Sequence, residues 1–271
     1  MINNESRMKI LIPKEHGAWA MWIMPFIIGV AAAGEIKTVT WLIFGSCLSA
    51  FAARTALGAA IRQRARNTSL AIKCICVGAF EIICAIAFVL PIIYSGNYNI
   101  LILGLIAAAL LIADLWWIRD RTERQLSAEL LGVAGFSLAA PAAFIATRGV
   151  WHVEAVMLWL ISFGYFAGSV FFVKLRLIRL SGKPSQRQKS ERIYTRLIVA
   201  YVVLISLGTL LLPFWIPVPS WLILGFLPWI AHMLWECLYY SPSKNIHRVG
   251  WTLVAHSIYF TGSVSLLLSS T

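Results

Sequence analysis

The sequence predicts an all-α polytopic membrane protein, a bundle of about nine spanning helices, and three observations carry that expectation. Apolar stretches of spanning length recur along the 271 residues, and a bilayer core of about 30 Å takes roughly 20 apolar residues per helix. Hydrophobic residues make up 60% of the chain and charged residues 13%, a composition suited to a helix bundle in lipid and not to a water-soluble globule. Finally, the 23 Lys and Arg residues fall, all but Lys37 and Arg148, on one side, in alternate connections between the apolar stretches or at the span ends beside them, as Arg54 does.

The expected spans are 18–34, 39–58, 70–94, 100–117, 126–147, 153–173, 193–213, 221–238 and 249–268. The first follows a polar segment through Lys14 and carries Pro25 and Gly29. Small residues dominate the second, which holds Arg54 near its end. The third has Glu81 at its middle and stops at Ser95-Gly96-Asn97. Trp116, Trp117 and Arg119 mark the end of the fourth, and the fifth closes at Arg148. In the sixth, Gly164 and Gly168 form a G-x-x-x-G pattern, the mark of close helix packing. The seventh ends at the Pro213–Pro219 turn. Trp221 opens the eighth, and the ninth follows the basic pair Lys244 and Arg248. Aromatic residues collect near the span ends as interface belts: Trp19, Trp22, Trp116, Trp117, Tyr239 and Tyr240 on one side, and Trp41, Tyr98, Trp151, Trp215 and Trp221 on the other.

The charge asymmetry sets an orientation. Basic connections stay in the cytoplasm, so the N-terminus is expected inside and the C-terminus outside. The net charge of +12 is accounted for by these membrane-flanking loops and anionic lipid, which argues against a nucleic-acid partner. Residues 1–14 are polar and no small-residue cleavage pattern follows the first span, so no cleaved signal is expected. The five cysteines lie in or beside apolar spans without a C-x-x-C pair and read as packing. With nine spans, the chain has room for a single transmembrane domain over 1–271 and no separate soluble one.

An ionisable group inside a span costs roughly 2.5–3.5 kcal/mol on insertion scales, so each needs a partner or a wet cavity. The candidates are His16, Arg54, Glu81, Asp114, Glu129, His232, Glu236 and His256. Counted from the basic ends of their helices, all but Glu81 lie within about two turns of the cytoplasmic surface, which implies a polar cavity open to that side. Arg54 sits in an otherwise small and apolar stretch, with Glu129 the expected carboxylate to orient it. Asp114 and Glu236 fit a snorkelling role, and His232 and Glu236 share a helix face at i, i+4. The segment Leu175 to Arg192 is read either as a solvated basic loop or as a basic lid. Ahead of the first span, Pro13-Lys14-Glu15-His16 places three titratable groups at a helix N-terminus, where free N–H groups favour anions.

The string Pro13-Lys14-Glu15-His16-Gly17-Ala18-Trp19 resembles the signature of the YwiC-like family of bacterial membrane proteins. Arg54, and Glu129 with Gly132, are similar features further along. A weaker resemblance is to the UbiA-type intramembrane prenyltransferases, through Trp19 to Gly29 and through Arg121-Thr122 … Glu129-Leu130-Leu131-Gly132 … Pro141. It implies a UbiA-like arrangement of nine helices with a cytoplasm-facing cavity. Those enzymes hold Mg²⁺ and a prenyl diphosphate through aspartate-rich motifs at the inner ends of spans two and six. Residues 54–66 and 174–189 here contain no Asp or Glu. Mg²⁺ binds carboxylate and phosphate oxygen, so no metal site and no cofactor are expected; guanidinium and ammonium groups remain to hold an anion directly.

The reading is therefore of an integral membrane protein that binds an anionic lipid or isoprenoid, with modification of it left open. Lys14, Glu15, Arg54, Glu129, Lys174 and Arg176 are the expected substrate-binding residues, and His16 and His256 the expected proton-moving, catalytic ones. The alternatives are a small-solute transporter and a haem- or quinone-binding protein, the latter on His232 and His256, which lie at similar depths on consecutive helices.

Overall fold

A computed structural model describes residues 16–123, 125–180, 184–214, 221–239 and 246–269, the side chains of 16, 184–187 and 246–248 excepted. Its helices are α1 (His16–Ala33), α2 (Thr38–Gln63), α3 (Thr68–Tyr94), α4 (Asn99–Arg119), α5 (Leu126–Ser137), α6 (Ala139–Arg148), α7 (Val153–Leu180), α8 (Pro184–Leu211), α9 (Leu222–Leu238) and α10 (Ile246–Ser269), with a 3-10 turn at Leu212–Phe214. No strand occurs among the described residues. The helices α5 and α6 together form one span, Leu126–Arg148. They part at Leu138 because Pro141 has no N–H to give the Ser137 carbonyl, and its ring crowds that oxygen. Among the described residues seven spans are long and apolar enough to cross a membrane, and Gly17–Ala33 and Leu222–Leu238 are shorter apolar helices. The chain is a polytopic all-α membrane protein.

Two compact units make up the chain, residues 1–159 and 160–271. In the first, α3 lies along α2, and α1 lies along α6. The α1–α6 approach depends on Gly29, where a Cβ would collide with the Ala140 backbone. One end of this unit is tied by hydrogen bonds between helix termini: Thr40 to Thr147 at 3.1 Å, Asn97 Nδ2 to the Ile145 carbonyl at 2.8 Å, and Asn99 Nδ2 to the Gly149 carbonyl at 2.9 Å. Gly149 stops α6 at φ +78°, a left-handed value that suits glycine. At the opposite end Asn67 caps α3 by accepting from the Leu70 N–H at 2.9 Å. Most of the surface of α3 and α4 is exposed, whereas the α5–α6 span is mostly buried, so α3 and α4 offer their apolar faces to lipid.

The second unit is built around α7. Gly168 lets the Trp229 and Tyr201 rings close on the helix, for a Cβ there would overlap both, and the Tyr201 hydroxyl donates to the Gly164 carbonyl. The G-x-x-x-G pattern is a packing device here. Tyr165 stacks on Phe260 with ring centroids 3.9 Å apart and also meets Trp229 and Phe226. Of the expected belt residues, Trp41, Tyr98, Trp116, Trp151, Trp221 and Tyr239 are exposed. Trp22 is not at an interface: it is 2% exposed and packs against Phe44 and Phe51. Trp215 and Tyr240 lie outside the described residues.

Candidate functional site

In the first unit the small-residue run of α2 brings Arg54 against α4. Its guanidinium meets Asp114 side by side, Nε to Oδ2 at 2.9 Å and Nη2 to Oδ1 at 3.0 Å. The carboxylate that closes on Arg54 is thus Asp114, not Glu129, and Asp114 is buried in this pair instead of snorkelling to the interface. The Phe136 ring lies 5.1 Å from the Arg54 guanidinium carbon and covers a face of the cation. Gly132 leaves the space the pair occupies, since a Cβ there would meet Arg54 Nη2 at 3.7 Å and Asp114 Oδ1 at 3.8 Å. The side chains are 33% and 9% exposed, so the arginine retains an open side. Two of its five N–H donors face Asp114, and three are not engaged by other described residues.

Beyond the pair toward its own end of the unit, Arg62 Nη1 donates to Glu123 Oε2 at 2.8 Å in an exposed position. Below it runs a cavity of about 570 Å³ between α2, α3, α4 and α5–α6. Its walls are Ile, Val, Leu, Ala and Phe side chains from these helices; Ser46, Cys47, Arg54 and Asp114 are its short list of polar ones besides the Trp22 indole. On α3 the facing residues are Ile82, Ala85, Ile86, Val89 and Ile93, one stripe at helical spacing. Gly104 of α4 also lines the space, and a Cβ built there meets nothing within 4 Å. An apolar space of this size, partly open along α3 and α4 and ended by one half-buried ion pair, has the chemistry to hold a hydrocarbon chain and hydrogen-bond its polar end. Glu129 stands half-buried in the first turn of α5, and Glu81 half-buried in the middle of α3; neither lines the cavity.

The second unit holds a separate charged cluster. Arg176 of α7 donates to Glu236 of α9, Arg179 Nη1 donates to the Glu236 carbonyl at 2.6 Å, and Arg179 Nε donates to Glu191 of α8 at 2.8 Å. Glu236 therefore serves Arg176, in place of the i, i+4 partnership with His232. His232 lies instead against Phe172 and His256, with ring centroids at 5.3 Å and 4.9 Å. The two histidine rings here lie directly against each other. Among the described residues no group of three or more His, Cys, Asp or Glu side chains could hold a metal ion.

Of the residues expected to form a site, Arg54 lies in the first unit at the cavity, while Lys174, Arg176 and His256 belong to the second. Lys14 and Glu15 lie outside the described residues, as does the side chain of His16, whose backbone opens α1. Arg179 was expected, with Lys174 and Arg176, among the basic groups at the inner end of its span, whereas Phe136, Glu191 and Tyr165 were not singled out in the sequence. The depth of Glu191 at the basic end of α8 was a usable signal. Phe136 and Tyr165 gave none, because aromatic side chains in apolar spans look alike until rotation about the helix is known.

Residues 12–144 match the model of a protein family described as YwiC-like protein. The chain is also 29% identical over 169 residues to "Uncharacterized protein YwiC" of Bacillus subtilis (strain 168), an alignment covering 62% of this chain and 67% of that one. No solved structure matches the chain. The matched family segment falls within the first unit and includes Arg54, Asp114 and the cavity walls.

Proposed function

As a membrane protein of the YwiC-like family, this chain, we propose, binds an anionic lipid or isoprenoid in its first unit. The apolar chain of the ligand lies in the cavity between α2, α3 and α4, and its head meets Arg54. The observation that carries this reading is an apolar space of about 570 Å³ that ends on the Arg54–Asp114 pair. The pair is neutral as a unit, so the three remaining Arg54 donors hydrogen-bond the head while the longer-range attraction comes from the basic end of the unit. Arg62, Arg64, Arg66, Arg119 and Arg121 cluster there against Asp120 and Glu123. In this reading that end faces the cytoplasm of a bacterial inner membrane, with the N-terminus inside.

No bridging metal is needed, because guanidinium groups hold carboxylate or phosphate oxygens directly. Whether the ligand is also modified, as the resemblance to UbiA-type transferases would imply, is a further question for the same site. Native mass spectrometry in mild detergent tests the binding, using a polyprenyl phosphate and an anionic phospholipid as probes. Binding should survive EDTA, weaken as salt rises, and fall about tenfold in Arg54→Gln, since a hydrogen bond to a charged group is worth roughly 1.5–3 kcal/mol. Loss of binding on chelation, or full binding by Arg54→Gln, contradicts the proposal.

A further inference from the structure

The second unit buries polar atoms that find no hydrogen-bond partner: Tyr165 Oη, Trp229 Nε1, His256 Nδ1, and the hydroxyls of Ser162, Thr261 and Ser265. Tyr165 and Trp229 are each only 1% exposed. The three hydroxyls can turn to a carbonyl one helical turn back, as Ser257 does by donating to the Val254 carbonyl at 2.8 Å. That local rescue does not exist for a tyrosine hydroxyl, an indole N–H or an imidazole nitrogen. In a hydrocarbon core each such group costs several kcal/mol if left unmet. Three of them on three adjoining helices call for a common polar filling, and a water bonded to two to four such groups supplies it.

Their order along the helices is what gives the filling a function. From the charged end of α7 inward come Arg179 and Arg176, held by Glu191 and Glu236, then Phe172 with the touching rings of His232 and His256. Next is Tyr165, in contact with Trp229 and Phe260, and then Ser162. On α10 the polar positions Ser257, Thr261 and Ser265 repeat every four residues and so lie on one face. From Arg179 to Ser162 is about 25 Å at 1.5 Å per residue, most of a bilayer core of about 30 Å.

The geometry points to a proton path: the seam between α7, α9 and α10 carries protons along bound water, with the His232–His256 pair as its relay. An imidazole accepts a proton on one ring nitrogen and releases one from the other, so charge advances with no bond made or broken but N–H and O–H. At van der Waals contact the two rings do not both hold a positive charge beside Arg176, and a proton arriving on one displaces the proton of the other toward the next water. Glu236, whose Oε2 accepts no hydrogen bond and lies 4.0 Å from Arg179 Nη1, is the carboxylate at the charged mouth. The charged and titratable groups around the relay are Arg176 and Tyr165 of α7, Tyr201 of α8 behind Trp229, and Glu236 of α9.

The test uses the full chain in proteoliposomes with an entrapped pH dye, and a potassium gradient with valinomycin to drive protons inward. Wild type should acidify the lumen at least tenfold faster than protein-free vesicles, and His256→Phe should lose most of that rate. Because His256→Phe leaves a neighbouring ring without its polar partner, Tyr165→Phe serves as the second variant; it keeps the stack on Phe260 and removes only the hydroxyl. It too should slow the flux severalfold while eluting and melting like wild type. Wild-type vesicles no faster than protein-free ones would overturn the proposal and leave the seam a structural one. So would wild-type flux in folded Tyr165→Phe.

Discussion

The two units solve the cost of charge inside a bilayer in different ways. In the first, a single arginine and a single aspartate face each other across α2 and α4, above a long apolar space. In the second, two arginines and two glutamates interlock on α7, α8 and α9, beside a densely packed aromatic stack with polar atoms threaded through it. One arrangement leaves an ion pair with donors to spare beside a chamber. The other uses its charges on one another and leaves further unmet polarity deeper, on Tyr165, Trp229 and His256. A residue's type and depth therefore say little about its task; what it faces decides.

Removing one partner should hurt the second unit more. Glu236→Leu leaves Arg176 without a carboxylate it uses and weakens the hold on Arg179. Breaking a buried pair on one side costs about 3–5 kcal/mol, and this change should reach or exceed that range in denaturant unfolding of purified protein. Asp114→Leu should cost less, since Arg54 is a third exposed. Adding Arg54→Leu to it should recover most of the loss, as replacing both members of a pair often does. Equal losses for Glu236→Leu and Asp114→Leu would erase the contrast between the units.

Packing gives a smaller test. Gly168→Leu drives a side chain into Trp229 and Tyr201, and overpacking of this kind costs about 1–3 kcal/mol; the thermal midpoint should fall accordingly. Smallest is Arg62→Ala, which removes the exposed bridge to Glu123 and should change stability by no more than about 1 kcal/mol. A larger loss would mean that the basic end of the first unit is held by charge in the way the second unit is.

The spans were legible because apolar runs of spanning length are separated by turns and charges, and among the described residues seven long apolar spans and two shorter apolar helices lie where those runs are. Arg54 was legible as well, standing out in a run of small residues. Its partner was not. Glu129 follows a charged loop and looks available, whereas Asp114 lies five residues before Arg119 and reads as a side chain reaching for the interface. Depth alone admits both, and only the rotation of α4 about its axis turns Asp114 toward α2. Glu236 was drawn to His232 by spacing on its own helix, but a guanidinium from α7 arrives across the bundle. The cavity could not be read at all. It arises where α3 packs along α2 and leaves α4 with less to touch, a matter of helix placement that apolar composition does not encode.

The central claim is that the space below Arg54 and Asp114 holds the ligand's hydrocarbon chain, and Gly104 tests it most directly. Its Cβ position is open, so Gly104→Phe should fill the cavity without disturbing the α2–α4 pair and, freed of a mid-helix glycine, should fold at least as stably as wild type. Native mass spectrometry with a polyprenyl phosphate should then show binding reduced tenfold or more, with the thermal midpoint unchanged or raised. Undiminished binding by a folded Gly104→Phe would contradict the account and move the ligand out of this cavity.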